Sequence, residues 1–197
     1  NDVLGWASAG GDAPDGEEDP AAEQTNPSTL TSIASFQQAY AAALQAMLAA
    51  SPEAKGVAIT IPSVTLSPLF RAVPYNPIPL DEANANALNQ GYADYNAGIQ
   101  AAAQFGAISQ EEAALRSISF SAGAANPVVI ADEELSDISL PNPEGGDPIV
   151  LPKIRQSNPS DLLIFNVAPL LGSNTEGGPY GLQVPVENQF VLTLNEQ

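Results

Sequence analysis

The residues of this chain that could take part in chemistry are carboxylates, amides and hydroxyls, because its 197 residues include no histidine and no cysteine. A Ser-His-Asp triad, a histidine–metal cluster and an imidazole general base all need histidine. Disulfides, thiolate nucleophiles and thiolate metal sites need cysteine. Hydrolysis by a Ser-His-Asp triad, a thiolate nucleophile or a histidine-bound metal would therefore require side chains from outside these residues.

The charge of the chain is strongly acidic. Its 23 acidic residues outweigh 5 basic ones, which gives a net charge of −18. A charge of this sign repels phosphate backbones and anionic membrane surfaces, so we expect no nucleic-acid partner. No apolar run approaches the length of a transmembrane helix. The sequence also shows no phosphate-binding loop, dinucleotide-binding glycine motif or metal-ligand spacing, so we expect no cofactor.

A long acidic loop is predicted over residues 7–32, where glycine and proline interrupt any periodic pattern and clustered carboxylates repel one another. Asp12, Asp15, Glu17 and Asp19 raise the alternative of a calcium site. Their spacing does not match an EF-hand loop, in which alternate acidic ligands surround a fixed glycine and end on a glutamate. The pattern therefore favours a solvated loop over a metal site.

The sequence next predicts a helix followed by a strand, which is the repeating unit of an α/β fold. Over residues 36–50 apolar side chains recur at helical spacing, and Pro52 ends the helix. We expect this helix to bury its apolar stripe, which consists of Phe36, Tyr40, Leu44, Met47 and Leu48. The β-branched run over 56–62 is typical of a buried parallel strand.

The loop over residues 63–79 is the candidate substrate-binding segment. It leaves the carboxyl end of the predicted strand, where ligands bind in parallel sheets. Phe70, Tyr75 and Asn76 lie in it among several stiffening prolines. We predict that these side chains line a substrate pocket. The alternative is a structural proline-rich connector.

A second long helix is predicted over 82–105. Asp81 is its expected N-cap, and the glycine pair Gly91 and Gly98 indicates close packing against another element. Ser109 with Glu112 has the spacing of a capping box.

That box predicts a short helix over 110–116, within an excursion that covers 107–197. The runs 118–121 and 128–130 predict a β-hairpin. Beyond residue 132 short apolar runs do not distinguish strands from buried loops.

Both ends of the sequence suggest a longer parent protein. The chain starts at Asn1 without a methionine, and Thr193 with Glu196 has capping-box spacing with no helix after it. We expect this chain to be a middle segment of a longer polypeptide that also supplies the remaining parts of the fold. We expect that parent to be exported to the periplasm or the cell surface, either free or anchored as a lipoprotein.

Four stretches, taken in order, carry a family resemblance: Asn1-Asp2-Val3-Leu4-Gly5, Lys55-Gly56-Val57-Ala58-Ile59-Thr60-Ile61-Pro62, Val73-Pro74-Tyr75-Asn76 and Leu151-Pro152-Lys153-Ile154-Arg155-Gln156. Together they resemble the SGNH (GDSL-type) esterases and lipases of Bacteroidetes-like bacteria. The resemblance implies a three-layer α/β/α sandwich with a flavodoxin-like parallel sheet. It also implies hydrolysis of carboxylic esters, including lipid-like ones, by a serine nucleophile.

The resemblance gives roles to two residues. Asn1 matches the asparagine of the family's Gly-x-Asn-Asp type block, whose amide donates to the tetrahedral oxyanion; one such donor contributes about 3–4 kcal/mol. Asp2 matches the following aspartate, which orients rather than reacts. A polar residue without a role is the alternative for Asn1. The family's Gly-Asp-Ser type nucleophile block and its Asp-x-x-His block have no counterpart in this chain.

Three functions therefore remain open. The first is a segment of a serine ester hydrolase that is not catalytically complete by itself. The second is a non-enzymatic acidic surface or interaction domain. The third is an inactive hydrolase-like scaffold kept for binding.

Overall fold

The structure is a computed structural model, and it describes residues 31, 33–60, 62–143, 145–175 and 178–193. In those ranges the chain mixes helices with short strands, which confirms a mixed α and β composition. No helix in these ranges combines the length and hydropathy needed to cross a membrane. The predicted acidic loop over 7–32 and its calcium alternative lie outside the described residues, apart from Thr31.

The first helix, α1 (Ile33–Ala50), confirms the helix predicted over 36–50. Its predicted burial is wrong. Every residue from 36 to 60 is exposed, and the apolar stripe remains open to solvent. Phe36 and Met47 are each 59% exposed. The stripe is unburied because no other described element packs over it.

The buried parallel strand predicted over 56–62 is also wrong. Residues 56–60 and Pro62 are in no strand, and Ile61 lies outside the described residues. Val57 is 87% exposed and Ile59 is 89% exposed. A β-branched run forms a strand only when another strand satisfies its backbone groups. The described residues supply no such partner.

The helix predicted over 82–105 is present as α3 (Glu82–Gly91) and α4 (Ala93–Gln104), separated only at Tyr92. The Asp81 carboxylate accepts a hydrogen bond from the Asn84 backbone at 2.7 Å, which confirms the N-cap. Between α1 and α3 the chain forms α2 (Pro68–Arg71).

The predicted capping box of the next helix, α5 (Gln110–Arg116), is half confirmed. Ser109 accepts a hydrogen bond from the Glu112 backbone at 3.0 Å. The Glu112 carboxylate, however, binds Arg116 and Ser136 rather than the cap backbone.

The described strands form five two-stranded antiparallel sheets rather than one parallel sheet. The pairs are β1 (Ile78–Leu80) with β2 (Gly123–Asn126), β3 (Val129–Ala131) with β6 (Ile154–Gln156), β4 (Ile138–Leu140) with β5 (Ile149–Leu151), β7 (Leu162–Leu163) with β10 (Val191–Leu192), and β8 (Asn174–Thr175) with β9 (Gly178–Pro179). A three-layer sandwich is therefore not formed by these residues.

The predicted hairpin of 118–121 with 128–130 is wrong. β2 pairs with β1, some forty residues earlier, and β3 pairs with β6. Residues 118–120 are instead bound by side chains of two helices. The Asn96 amide makes hydrogen bonds with the backbone N–H and C=O of Ile118, and the Asn89 amide does the same with Phe120.

The main core lies where α3 and α4 cover β3 and β6. Val128, Val129 and Ile130 are fully buried there. Two smaller clusters adjoin it. One joins α4 and α5 to the β4–β5 hairpin, and the other surrounds Phe70 with Leu162, Ile164 and Leu192.

Candidate functional site

The proline-rich loop over 63–79 is more ordered than its composition suggests. It contains a 3-10 turn (Val64–Leu66), then α2, and it ends in β1. Arg71 donates from Nε to the Thr65 carbonyl at 2.8 Å, which ties α2 to the turn. The Tyr75 carbonyl accepts a hydrogen bond from Ser157 Oγ at 2.7 Å, which fastens the loop to the core.

Phe70 and Tyr75, two of the predicted substrate-binding residues, line the same small cavity of about 140 Å³. Phe70 is only 1% exposed and packs in its own hydrophobic cluster, so its ring anchors the loop. Tyr75 is half-buried. Asn76 is also half-buried, and it is not among the residues that line this cavity. The structure thus brings two of the three predicted residues together.

A larger, mainly apolar cavity of about 450 Å³ is lined by the same loop. Its wall combines Val73, Pro77 and Ile78 from the loop with Ala168 and Leu171 from the segment after β7. Cavities of roughly 300–1,000 Å³ with apolar walls suit small organic ligands. None of the predicted residues Phe70, Tyr75 and Asn76 lines this cavity, although it adjoins the predicted loop, and its opposite wall comes from residues distant in sequence.

Arg155, in the Leu151–Gln156 stretch, is buried at the centre of an ion network. It donates to Asp132 at 2.5 Å and to both carboxylate oxygens of Asp161 at 2.7 and 2.8 Å. Burial would lower the pKa of Arg155, but hydrogen bonds to Asp161 and Asp132 outweigh it and raise that pKa above its ordinary value. This stretch therefore acts as a structural tie in the described fold.

A second buried guanidinium, Arg116, is 0% exposed. It contacts the Tyr95 hydroxyl at 3.3 Å, the Glu112 carboxylate at 3.2 Å and the carbonyls of Ser136 and Pro152 at 2.9 and 2.8 Å. Burial acts to raise the pKa of Glu112, but hydrogen bonds from Ser136 and Arg116 lower it below its ordinary value. The arrangement joins α5 to the strands by charge-assisted bonds.

An acidic cavity of about 320 Å³ lies between these two networks, with Glu112, Asp132 and Glu134 in its wall. Asp132 is bound to Arg155, and Glu112 is bound to Arg116. Across the described ranges no cluster of acidic side chains is arranged to hold a metal ion. Two carboxylates of the cavity wall, Glu112 and Asp132, are therefore already engaged in ion pairs that stabilise the fold.

The remaining feature is a set of exposed apolar side chains on α1 and on the segment after it. We call it the apolar face, and it consists of Phe36, Tyr40, Leu44, Met47, Leu48, Val57 and Ile59. All of these are more than 40% exposed. The rings of Phe36 and Tyr40 stack with centroids 5.7 Å apart. Soluble proteins seldom leave so many large apolar side chains together in water.

Asn1 and Asp2, the residues to which the resemblance gives catalytic roles, lie outside the described residues. Their predicted roles stay predictions. Comparisons of the chain with protein-family models, with curated proteins and with solved structures returned no match.

Proposed function

We propose that this chain is a segment of a serine ester hydrolase that acts on carboxylic esters and is not catalytically complete by itself. The observation that carries the proposal is the apolar face. Seven large apolar side chains lie in water between residues 36 and 59, where no residue is buried, whereas the hydrophobic core is formed within residues 70–192. A hydrolase core contributed by the rest of the polypeptide is the proposed cover.

The helix α1 fits this role because its exposed stripe follows one side. Phe36, Tyr40, Leu44 and Leu48 succeed one another every four residues. Burial of one such side chain contributes about 1.5–3 kcal/mol. Because these side chains are only about half exposed, covering the stripe would stabilise an assembly by roughly 5 kcal/mol.

The segment over 56–60 fits the role of a strand that lacks its neighbours. Its β-branched residues Val57, Ile59 and Thr60 have high strand propensity, and both Val57 and Ile59 are exposed. In a flavodoxin-like sheet such a strand is central and has a partner on each side. We propose that strands from elsewhere in the polypeptide pair with it.

The proline-rich loop then lies where the proposed strand ends, with the cavity of about 450 Å³ against it. Ligands of open α/β sheets bind beyond the carboxyl ends of the strands. We propose that Tyr75, Asn76 and the apolar wall near Val73 contact the acyl or alcohol part of an ester. Phe70 anchors the loop through its cluster with Leu162, Ile164 and Leu192.

The chemistry divides between this chain and the rest of the enzyme. A serine hydroxyl needs a positioned base, and this chain has no histidine. Carboxylates with a pKa near 4 are weak bases at neutral pH. In the proposal Asn1 donates to the oxyanion, Asp2 orients its neighbours, and nucleophile and base come from the flanking segments.

Hydrolysis of p-nitrophenyl acetate tests the proposal. We expect the 197-residue chain alone to give no turnover above a matched protein blank, and the longer polypeptide that contains it to hydrolyse the ester. Turnover by the chain alone would contradict the division of groups proposed above. An inactive longer polypeptide would leave the binding scaffold as the better account.

A further inference from the structure

A further cavity, with none of the lining residues of those described above, lies between the helices and the β4–β5 hairpin. It is an open groove of about 510 Å³, and we call it the aliphatic groove. Its apolar walls are formed by Tyr92, Tyr95, Leu140, Ile149, Leu151 and Ile154. Ile149 is 43% exposed at the rim and its neighbour Val150 is 71% exposed. The volume is within the range of small-ligand sites, and most of the wall is hydrocarbon.

The two glycines of the helices shape this groove in different ways. A Cβ at Gly98 would lie 2.9 Å from Leu151 Cδ1, so that glycine lets the hairpin approach the helix. A Cβ at Gly91 would meet nothing within 4 Å, although Gly91 also lines the groove. Gly91 therefore leaves space at one end that any larger side chain would fill.

The charges around the groove select among apolar ligands. Asp94 lies in its wall, and its carboxylate makes no hydrogen bond or ion pair with the described residues. The neighbouring cations are already bound, Arg116 to Glu112 and Lys153 to Asp137. A carboxylate head group would thus meet an unpaired negative charge and no available cation. The net charge of −18 acts in the same direction.

We propose that the aliphatic groove is a binding site for a linear aliphatic molecule without an anionic head group, such as a medium-chain alcohol. The tail lies along Tyr95, Leu140 and Ile149, and the head group faces the water near Asp94. This inference does not depend on ester hydrolysis, because the groove is built from the described unit alone.

Titration of the isotope-labelled 197-residue chain with octanol, followed by backbone amide NMR shifts, tests the proposal. We expect saturable binding with the largest shifts in residues 91–98 and 149–154. Octanoate, which has the same chain length and an anionic head, should bind at least tenfold more weakly. Asp94→Asn should narrow that gap. Shortening the alcohol should weaken binding by up to about fourfold for each buried methylene that is removed.

Gly91→Leu supplies the sharpest variant, since it fills the open end without a clash. It should weaken octanol binding at least tenfold. Ala97→Leu, an exposed position on the adjoining helix α4, is the matched control and should leave the affinity unchanged. If Gly91→Leu does not fold, Ile149→Asn at the rim takes its place and should also weaken binding.

Three results would overturn the proposal. The first is an absence of saturable binding. The second is equal affinity for octanol and octanoate. The third is that octanol shifts the amide signals of the apolar face instead of those of the groove, and binds the Gly91→Leu chain with unchanged affinity.

Discussion

Arg155 and Asp161 form a bidentate ion pair inside the fold, with nitrogen–oxygen distances of 2.7 and 2.8 Å. Both residues are 4% exposed. Asp161 also accepts a hydrogen bond from the Asn158 backbone at 2.7 Å, so one carboxylate closes a turn and neutralises a buried cation. The pair connects β6 to the segment that leads into β7.

Asp161→Ala should lower the free energy of unfolding by about 3–5 kcal/mol, because it leaves a buried guanidinium with one partner fewer. Urea unfolding followed by circular dichroism would measure the loss. Asp137→Ala is the matched control. It removes the ion pair of Lys153 with an aspartate whose side chain is 93% exposed. Its cost should be within about 1 kcal/mol. Similar losses of unfolding free energy for the two variants would show that the buried ion pair stabilises the fold no more than the exposed one.

Gly98→Leu should destabilise the fold by about 1–3 kcal/mol, because the new side chain collides with Leu151 at the β5 end of the hairpin. Gly91→Leu should not destabilise, since its Cβ meets open space and leucine favours helix by almost 1 kcal/mol over glycine. Thermal unfolding of the two variants compares them directly. A stabilised Gly98→Leu chain would contradict the close approach of helix and hairpin.

Tyr92 makes stability depend on alkaline pH. Burial, with a smaller effect from Tyr95, raises the pKa of Tyr92 from 10.0 to about 12. The neutral hydroxyl donates to the Leu182 carbonyl at 2.6 Å. The pKa of Tyr92 is higher in the folded protein than in the unfolded chain. The contribution of Tyr92 to the free energy of unfolding is therefore complete below pH 10 and is lost as the pH rises from 10 to 12. The loss should reach roughly 2–3 kcal/mol.

Tyr92→Phe isolates this effect. The variant should be less stable by about 1 kcal/mol at neutral pH, since the hydrogen bond is gone. Its stability should fall less steeply above pH 10. Unfolding curves at several alkaline pH values test this, and parallel losses in both proteins would rule out Tyr92 as the titrating group.

Glu112 should make the free energy of unfolding depend on pH in the acidic range. Its pKa is below the ordinary value in the fold, so its contribution is present above the unfolded pKa and is lost as the pH falls through the folded one. Glu112→Gln should therefore differ most from the original chain at neutral pH and converge with it in acid. A difference that is constant with pH would contradict the depressed pKa.

Local signals in the sequence predicted the helices well. The caps Asp81 and Ser109 act within three residues of themselves, so their spacing is sufficient evidence. The strands could not be found in the same way. They have two to four residues each, too few to show a period, and partners such as Ile78 and Asn126 are far apart in sequence.

The same distinction applies to the candidate site. The proline-rich loop was predicted to line a substrate pocket, which stays a prediction. The loop lines two cavities, and the burial of Phe70 depends on Leu162 and Leu192 from distant segments. The partners of Arg155 were equally hidden in the sequence. The predicted burial of α1 and of Val57 assumed neighbours that the described residues do not include.

Leu44→Lys tests whether the apolar face is covered in the longer polypeptide. In the 197-residue chain this exposed change should alter stability by no more than about 0.5 kcal/mol. In the longer polypeptide it should cost at least about 2 kcal/mol, because it would place a charge in a packed interface. Gln45→Lys, on the same helix, is the control and should be neutral in both. Equal effects of the two changes in the longer polypeptide would argue against a covered face.

The most direct test of the central proposal is the kcat for p-nitrophenyl acetate of the longer polypeptide with Asn1→Ala. Loss of an oxyanion donor should lower kcat by about 10²–10³ with the fold intact. Asn174→Ala, which changes an exposed asparagine of the described unit, should leave kcat unchanged. An Asn1→Ala enzyme as active as the original would contradict the assignment of this chain to a serine ester hydrolase.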